Sequence, residues 1–178
     1  MEDKVKVKVQ PLNPEAFKPY GQVLESKQPV FPDVVAGEGR VAMELLHPKR
    51  AGNWRNLEQM AIHFSYNQTF IPLSGTLVLI VAPPPRNRDA KREDYEIDYE
   101  KVAAFTIEPG QAAHIDHGVW HSAFIIGDEC KFINVTRKDP GEGTTDIEGA
   151  EQGRPNRRGY VEFVNFKKRD GRALELEF

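Results

Sequence analysis

The chain has a single cysteine, Cys130, in 178 residues. No disulfide can form within it, so folding rests on burial and hydrogen bonding. Cys130 lies between Glu129 and Lys131 in an apolar strand pattern, a setting that suits a structural thiol better than an activated nucleophile. Long apolar runs are also missing. None reaches membrane-spanning length, and the first residues alternate lysine with Val5, Val7 and Val9 where a secretory leader needs an unbroken apolar stretch. The expected compartment is therefore the cytoplasm. Charge of one sign is missing as well: 24 Lys and Arg against 27 Asp and Glu give a net charge of −3. That balance argues against a nucleic-acid partner, as the lack of an apolar span argues against a membrane. There is no internal repeat, and no segment longer than a few turns has helical periodicity.

What the chain does have is short β-rich runs punctuated by glycine and proline. Strands are expected at Arg40 to Leu46, Met60 to Phe64, Thr69 to Leu73, Thr76 to Ala82, Ala103 to Ile107, Gln111 to Ile115, His121 to Ile126 and Lys131 to Val135. Asn13-Pro14-Glu15-Ala16-Phe17 has a cap, a first-turn proline and an acidic first turn, which predict one short helix. The fold class that follows is all-β, a sandwich or barrel with one or two short helices, in one domain over residues 1–178. Pro83-Pro84-Pro85 and the charged residues after it cannot continue a central strand and are expected in a surface loop. Residues 139–158, rich in glycine and acidic residues, read as a mobile loop. Residues 159–178 alternate again and predict terminal strands.

Four of the five histidines fall in two windows, His63 alone and His114, His117 and His121 together, the latter beside Asp116. Imidazole is both the commonest metal ligand and the usual acid or base at neutral pH, so either role fits a histidine group opening from a strand. Gly118 interrupts the alternation, so periodicity alone does not say which of these histidines face inward.

The spacing of this second window resembles the cupin superfamily. Gly110, five residues, Asp116, His117, Gly118, Val119, Trp120 and His121 follow the second cupin motif, with aspartate at its proline position. Six residues separate Gln68 from Gly75, as in the first motif, and His63 lies five positions before Gln68. The resemblance implies a double-stranded β-helix, or jelly-roll barrel, and puts the metal positions of a typical cupin on Ala61, His63, Gln68 and His121. One of these four holds nothing and one is a neutral amide. If a divalent metal is bound, its expected ligands are His63, Gln68 and His121, with His114, Asp116 or His117 able to complete the set.

Three further stretches narrow the match: Gln10-Pro11-Leu12 through Glu25; His63 through Gln68-Thr69-Phe70-Ile71-Pro72-Leu73 to Gly75; and Gly118-Val119-Trp120-His121 with Arg137. Together they resemble the ureidoglycolate lyase family, also called ureidoglycolate hydrolases. The resemblance implies a homodimeric cupin that splits ureidoglycolate into glyoxylate and urea in allantoin and purine breakdown. It also exposes two departures: Ala61 stands where members usually carry glutamate, and Ile115-Asp116-His117 where they carry Tyr-His-Arg. On this reading His121 or His117 is the base, Gln68 orients the substrate, and His63, His114, Asp116 and Arg137 are candidates for binding it. Arg137 would clamp the carboxylate, while Trp120 is assigned to the core. Two other readings use the same residues: a cupin that binds a small carboxylate without turnover, and a metal-dependent cupin isomerase or dioxygenase.

Overall fold

A computed structural model describes residues 3–27, 29–49, 56–91, 94–138 and 162–178. Its eleven strands are β1 (Asp3–Pro11), β2 (Gly21–Glu25), β3 (Arg40–Leu46), β4 (Asn56–Leu57), β5 (Gln59–Ile62), β6 (Gln68–Ala82), β7 (Ala103–Ile107), β8 (Gln111–Ile115), β9 (Trp120–Lys138), β10 (Glu162–Asn165) and β11 (Arg172–Glu177). The two helices are short, α1 (Pro14–Phe17) and α2 (Phe166–Asp170). The chain is mainly β, as its turn-punctuated pattern implies.

The strands form one sheet with the order β10-β5-β9-β6-β7-β1-β11-β4, to which β3 adds on β9 and β8 on β6, with β2 beyond β8. Among the described residues the ladders do not close on themselves, so the expected barrel is an open one. The longest seam is antiparallel, with Thr76–Ala82 of β6 against Trp120–Ile126 of β9 and Thr69–Pro72 against Phe132–Val135. The sequence suggests four strands here because Gly75 and Gly127 look like turns. The structure instead runs two long strands straight through, with the register shifting around Ser74. Gly75 is needed at that shift: its φ is +74°, and a Cβ there would lie 2.5 Å from the Glu129 carbonyl oxygen.

Strand β6 explains why its second half is unbrokenly apolar. Leu77, Leu79 and Val81 enter one core cluster with Phe17, Phe105 and Ile115. Val78, Ile80 and Ala82 enter another with Met60, Trp120, Phe166 and Leu174. A strand buried on both faces has no reason to alternate, and each large side chain so buried contributes roughly 1.5–3 kcal/mol. Trp120 is fully buried in the second cluster, and its indole N–H donates to the Glu96 carbonyl at 3.1 Å. That bond ties the segment after the proline triplet to the core.

Helix α1 has the expected start, with Asn13 Oδ1 accepting from the Ala16 N–H at 2.9 Å and Pro14 in the first turn. Helix α2 is the second of the one or two short helices expected, at a place where the sequence suggests strands, and it is capped the same way: Asn165 Oδ1 accepts from the Lys168 N–H, and Gly171 ends it at φ +70°. The expected loop at 139–158 lies outside the described residues. Beyond it, β10 pairs with β5 and β11 with β1.

Candidate active site

A pocket of about 230 Å³ opens on the face of β9, β6 and β3 where Asn134, Phe70 and Glu44 stand in register. Its polar lining is Glu44, Gln59, His63, Tyr66, Gln68, His121, Ser122, Asn134 and Thr136; Ala61, Phe70, Phe132 and Phe163 are among its apolar walls. This volume suits a ligand smaller than a typical drug-sized molecule.

Two histidines meet at its base. His63 follows β5 and His121 lies near the start of β9; they are 1% and 6% exposed, with ring centroids 4.8 Å apart. Backbone carbonyls fix both tautomers, because a carbonyl only accepts. His63 Nδ1–H donates to the Tyr66 oxygen at 2.7 Å, and His121 Nδ1–H donates to the Val119 oxygen at 3.0 Å. In each neutral ring the lone pair is therefore on Nε2. The Tyr66 ring stacks on His63 with centroids 3.7 Å apart. Burial holds both rings uncharged. It is the main cause that pushes the His63 pKa down to about 3, with His121 next to it a further cause, and it pushes His121 down to about 4. His121 Nε2 has no protein partner among the described residues, and no buried polar side-chain atom there lacks one. That nitrogen faces the cavity.

The turn between the two histidines depends on Gly118. Its N–H donates to the His63 carbonyl at 2.6 Å; its φ is +81°, and a Cβ would come within 3.0 Å of the Phe64 ring. Only glycine fits this turn without strain.

Gln68 continues the site. Its Oε1 stands 3.1 Å from His63 Nε2, its Nε2 donates to Asn134 Oδ1 at 2.7 Å, and Asn134 Nδ2 donates to Glu44 Oε2 at 3.1 Å. Sequence reasoning missed Glu44, Asn134 and Thr136. The available signal was an inverted alternation: in β3 and β9 the polar Glu44, Asn134 and Thr136 point inward while Val41, Met43, Leu45, Ile133 and Val135 take the other face.

Of the residues anticipated from sequence, the fold brings together His63, Gln68 and His121. The others lie elsewhere. Asp116 and His117 are exposed on the turn before Gly118 and do not line the pocket. His114 is buried on the opposite face of β8, with Nδ1 2.8 Å from Thr69 Oγ1; burial lowers its pKa despite Asp116 nearby. Arg137 follows Thr136 and so takes the other face of β9, where its Nη1 donates to Ser65 Oγ at 2.8 Å.

The cupin pattern implies a divalent cation, and the two histidines are oriented as ligands would be, each Nδ1–H held by a carbonyl. The rest of the donor set does not fit. Ala61, in register with His121, forms a methyl wall at one ligand position, and Gln68 offers a neutral amide oxygen at another. Among the described residues no three His, Cys, Asp or Glu side chains are grouped to hold an ion. Two imidazoles and an amide lack the third strong donor that tight binding requires.

The family model described as ureidoglycolate lyase matches residues 33–155. The chain is 31% identical over 122 residues to a putative ureidoglycolate lyase of Agrobacterium fabrum, covering 65% of this chain and 72% of that protein. It is 25% identical over 150 residues to the ureidoglycolate lyase of Azotobacter vinelandii, covering 75% of this chain and 86% of that one. Among solved structures, a Bacillus subtilis oxalate decarboxylase mutant superimposes with a TM-score of 0.38 at 15% identity, over 56% of this chain and 22% of its own. With two thirds of its length matched to the family and a histidine-based pocket within the matched region, the chain belongs to the ureidoglycolate lyase family and is in class a lyase.

Proposed function

We propose that this protein cleaves ureidoglycolate to glyoxylate and urea, as in allantoin and purine breakdown, and that His121 moves the proton. The observation carrying this reading is the His121 ring, uncharged and with Nε2 open to the cavity. Cleavage requires the hydroxyl proton to leave as its O–H electron pair becomes the second C=O bond. The C–N pair then passes to the ureido nitrogen, which takes up a proton. His121 Nε2 accepts the first proton and returns it to the departing nitrogen, so the ring ends as it began. Gln68 and His63 hold the ureido group, and the Ser122 and Thr136 hydroxyls are further donors for the substrate's oxygens.

The test is a coupled assay for glyoxylate and urea from ureidoglycolate with the protein as purified, with chelator, and with added divalent metal. The proton-transfer reading expects equal turnover in all three. Turnover only with metal would replace it with a coordination mechanism, and silence throughout would leave a cupin that binds a small acid without turnover.

We further propose that the active form is a homodimer formed through the outer face of β3. Val41, Met43 and Leu45 are 50%, 76% and 69% exposed there, beside Ile133 and Val135 of β9, and β3 pairs only with β9 among the described strands. An apolar face of this kind on an edge strand is satisfied by a second copy. Light scattering is expected to give twice the chain mass, and Met43→Lys with Leu45→Lys is expected to give the monomer. A monomeric wild-type protein would refute the dimer.

A further inference from the structure

The four groups Glu44, Asn134, Gln68 and His63 form a chain with a fixed polarity. A carboxylate only accepts, so Glu44 holds the Asn134 NH₂ toward itself at 3.1 Å. Asn134 must then turn its carbonyl oxygen to Gln68, whose NH₂ lies 2.7 Å away. Gln68 is left to present its own oxygen, 3.1 Å from His63 Nε2. The other end is fixed as well, because the Tyr66 carbonyl takes the Nδ1 proton. Each amide supplies one donor and one acceptor along the chain, so two amides cannot satisfy an acceptor at both ends. With the His63 ring neutral and the Glu44 end satisfied, the contact that lacks a proton is the one at His63, where a lone pair faces a carbonyl oxygen. Both atoms belong to residues lining the cavity.

We propose that Glu44 and Asn134 are positioning residues that aim two acceptors, Gln68 Oε1 and His63 Nε2, at the same point, creating a subsite for an N–H or O–H donor of the ligand. With His121 Nε2 nearby, this wall of the pocket selects a donor-bearing group such as the ureido –NH–CO–NH₂ over a carbonyl or an ether. A single N–H directed at the gap meets both acceptors and removes the mismatch. An imidazolium would fill the gap itself, but the His63 ring is 1% exposed beneath the stacked Tyr66 ring, a setting that disfavours an unpaired charge. His121 and Tyr66 are the other titratable groups against His63, and Glu44 is the remaining one in the lining. The identity of the donor group rests on the lyase reading; the polarity of the chain does not.

Glu44→Gln tests this with nearly unchanged shape. The new amide can donate to Asn134, the chain can reverse, and Gln68 can turn its NH₂ to His63 Nε2. In the ligand-free protein at neutral pH the His63 Nε2 nitrogen resonance is expected at the position of an unbonded lone pair, and to move upfield in Glu44→Gln as that lone pair accepts a hydrogen bond from the Gln68 N–H. Glu44→Asp, which keeps the carboxylate, should restore the wild-type position. N-carbamoylglycine, a ureido acid without the reacting hydroxyl, is expected to bind the Gln variant about tenfold more weakly, with the loss appearing in KM more than kcat for ureidoglycolate. Asn134→Leu cuts the chain elsewhere and should shift the same resonance. If neither Glu44→Gln nor Asn134→Leu moves the Nε2 resonance, the proposal is overturned, whatever the lyase assay gives. If the resonance moves but the wild type binds no ureido acid, the donor-group assignment fails together with the lyase reading while the relay stands.

Discussion

His121→Ala is expected to leave the fold intact and to lower kcat at least about a hundredfold, the usual range for losing a positioned acid or base. His121 is the histidine whose free nitrogen meets the cavity, while its Nδ1 is anchored on the Val119 carbonyl. Binding should change little, because Gln68 and His63 remain, so the loss should appear in kcat with KM nearly preserved. Imidazole added to the medium should recover part of the rate through the space the side chain vacates. His117→Ala supplies the contrast, since His117 is exposed on the preceding turn and does not line the pocket. It is expected to keep wild-type turnover. A silent His117 variant beside an active His121 variant would move the base to the turn and show that this turn closes on the substrate.

Acid should act on this protein more strongly than its modest net charge suggests. His63 and His121 are buried and held neutral, with pKa values of about 3 and about 4 when folded, against about 6.5 in an unfolded chain. Below pH 6.5 the unfolded state binds protons that the folded state refuses, so stability is complete above that value. It falls as pH drops from about 6.5 toward 4 and 3. The combined loss is several kcal/mol at order of magnitude, a large part of the stability of a domain this size. Chemical denaturation at pH 7.5, 5.5 and 4.5 checks this, and His63→Gln should flatten the dependence. Within the folded population kcat should stay near its plateau down to about pH 5, because the base is still neutral there. A rate that halves near pH 6.5 with the fold intact would mean that the working base is an exposed histidine of ordinary pKa.

Some of the site was legible in the residues alone. The resemblance to the cupin motifs singled out His63, Gln68 and His121, and the pocket gathers these three. The spacing works because Gly118 makes the turn, and a tight turn leaves few ways to place a residue three positions later. Other residues in the same window were not separable by sequence. His114, a candidate for binding the substrate, shares the histidine cluster with His121 yet points away, since a β-strand alternates faces and only the pairing of β8 with β6 says which face is which. Arg137, the expected anion clamp, is one position out of phase with the pocket-lining Thr136 for the same reason.

The β class, the capped helix at Pro14 and the core run of β6 follow from composition and periodicity, which are local properties: a proline, an asparagine cap or six apolar residues in a row restrict the backbone wherever they occur. The relay through Glu44, Asn134 and Gln68 joins residues from β3, β9 and β6, with 90 positions separating its outer pair and 66 its inner pair. No local rule connects such distant positions. Only the register of three neighbouring strands brings these side chains to one face, and only there does an acceptor at each end leave a gap for the ligand's proton.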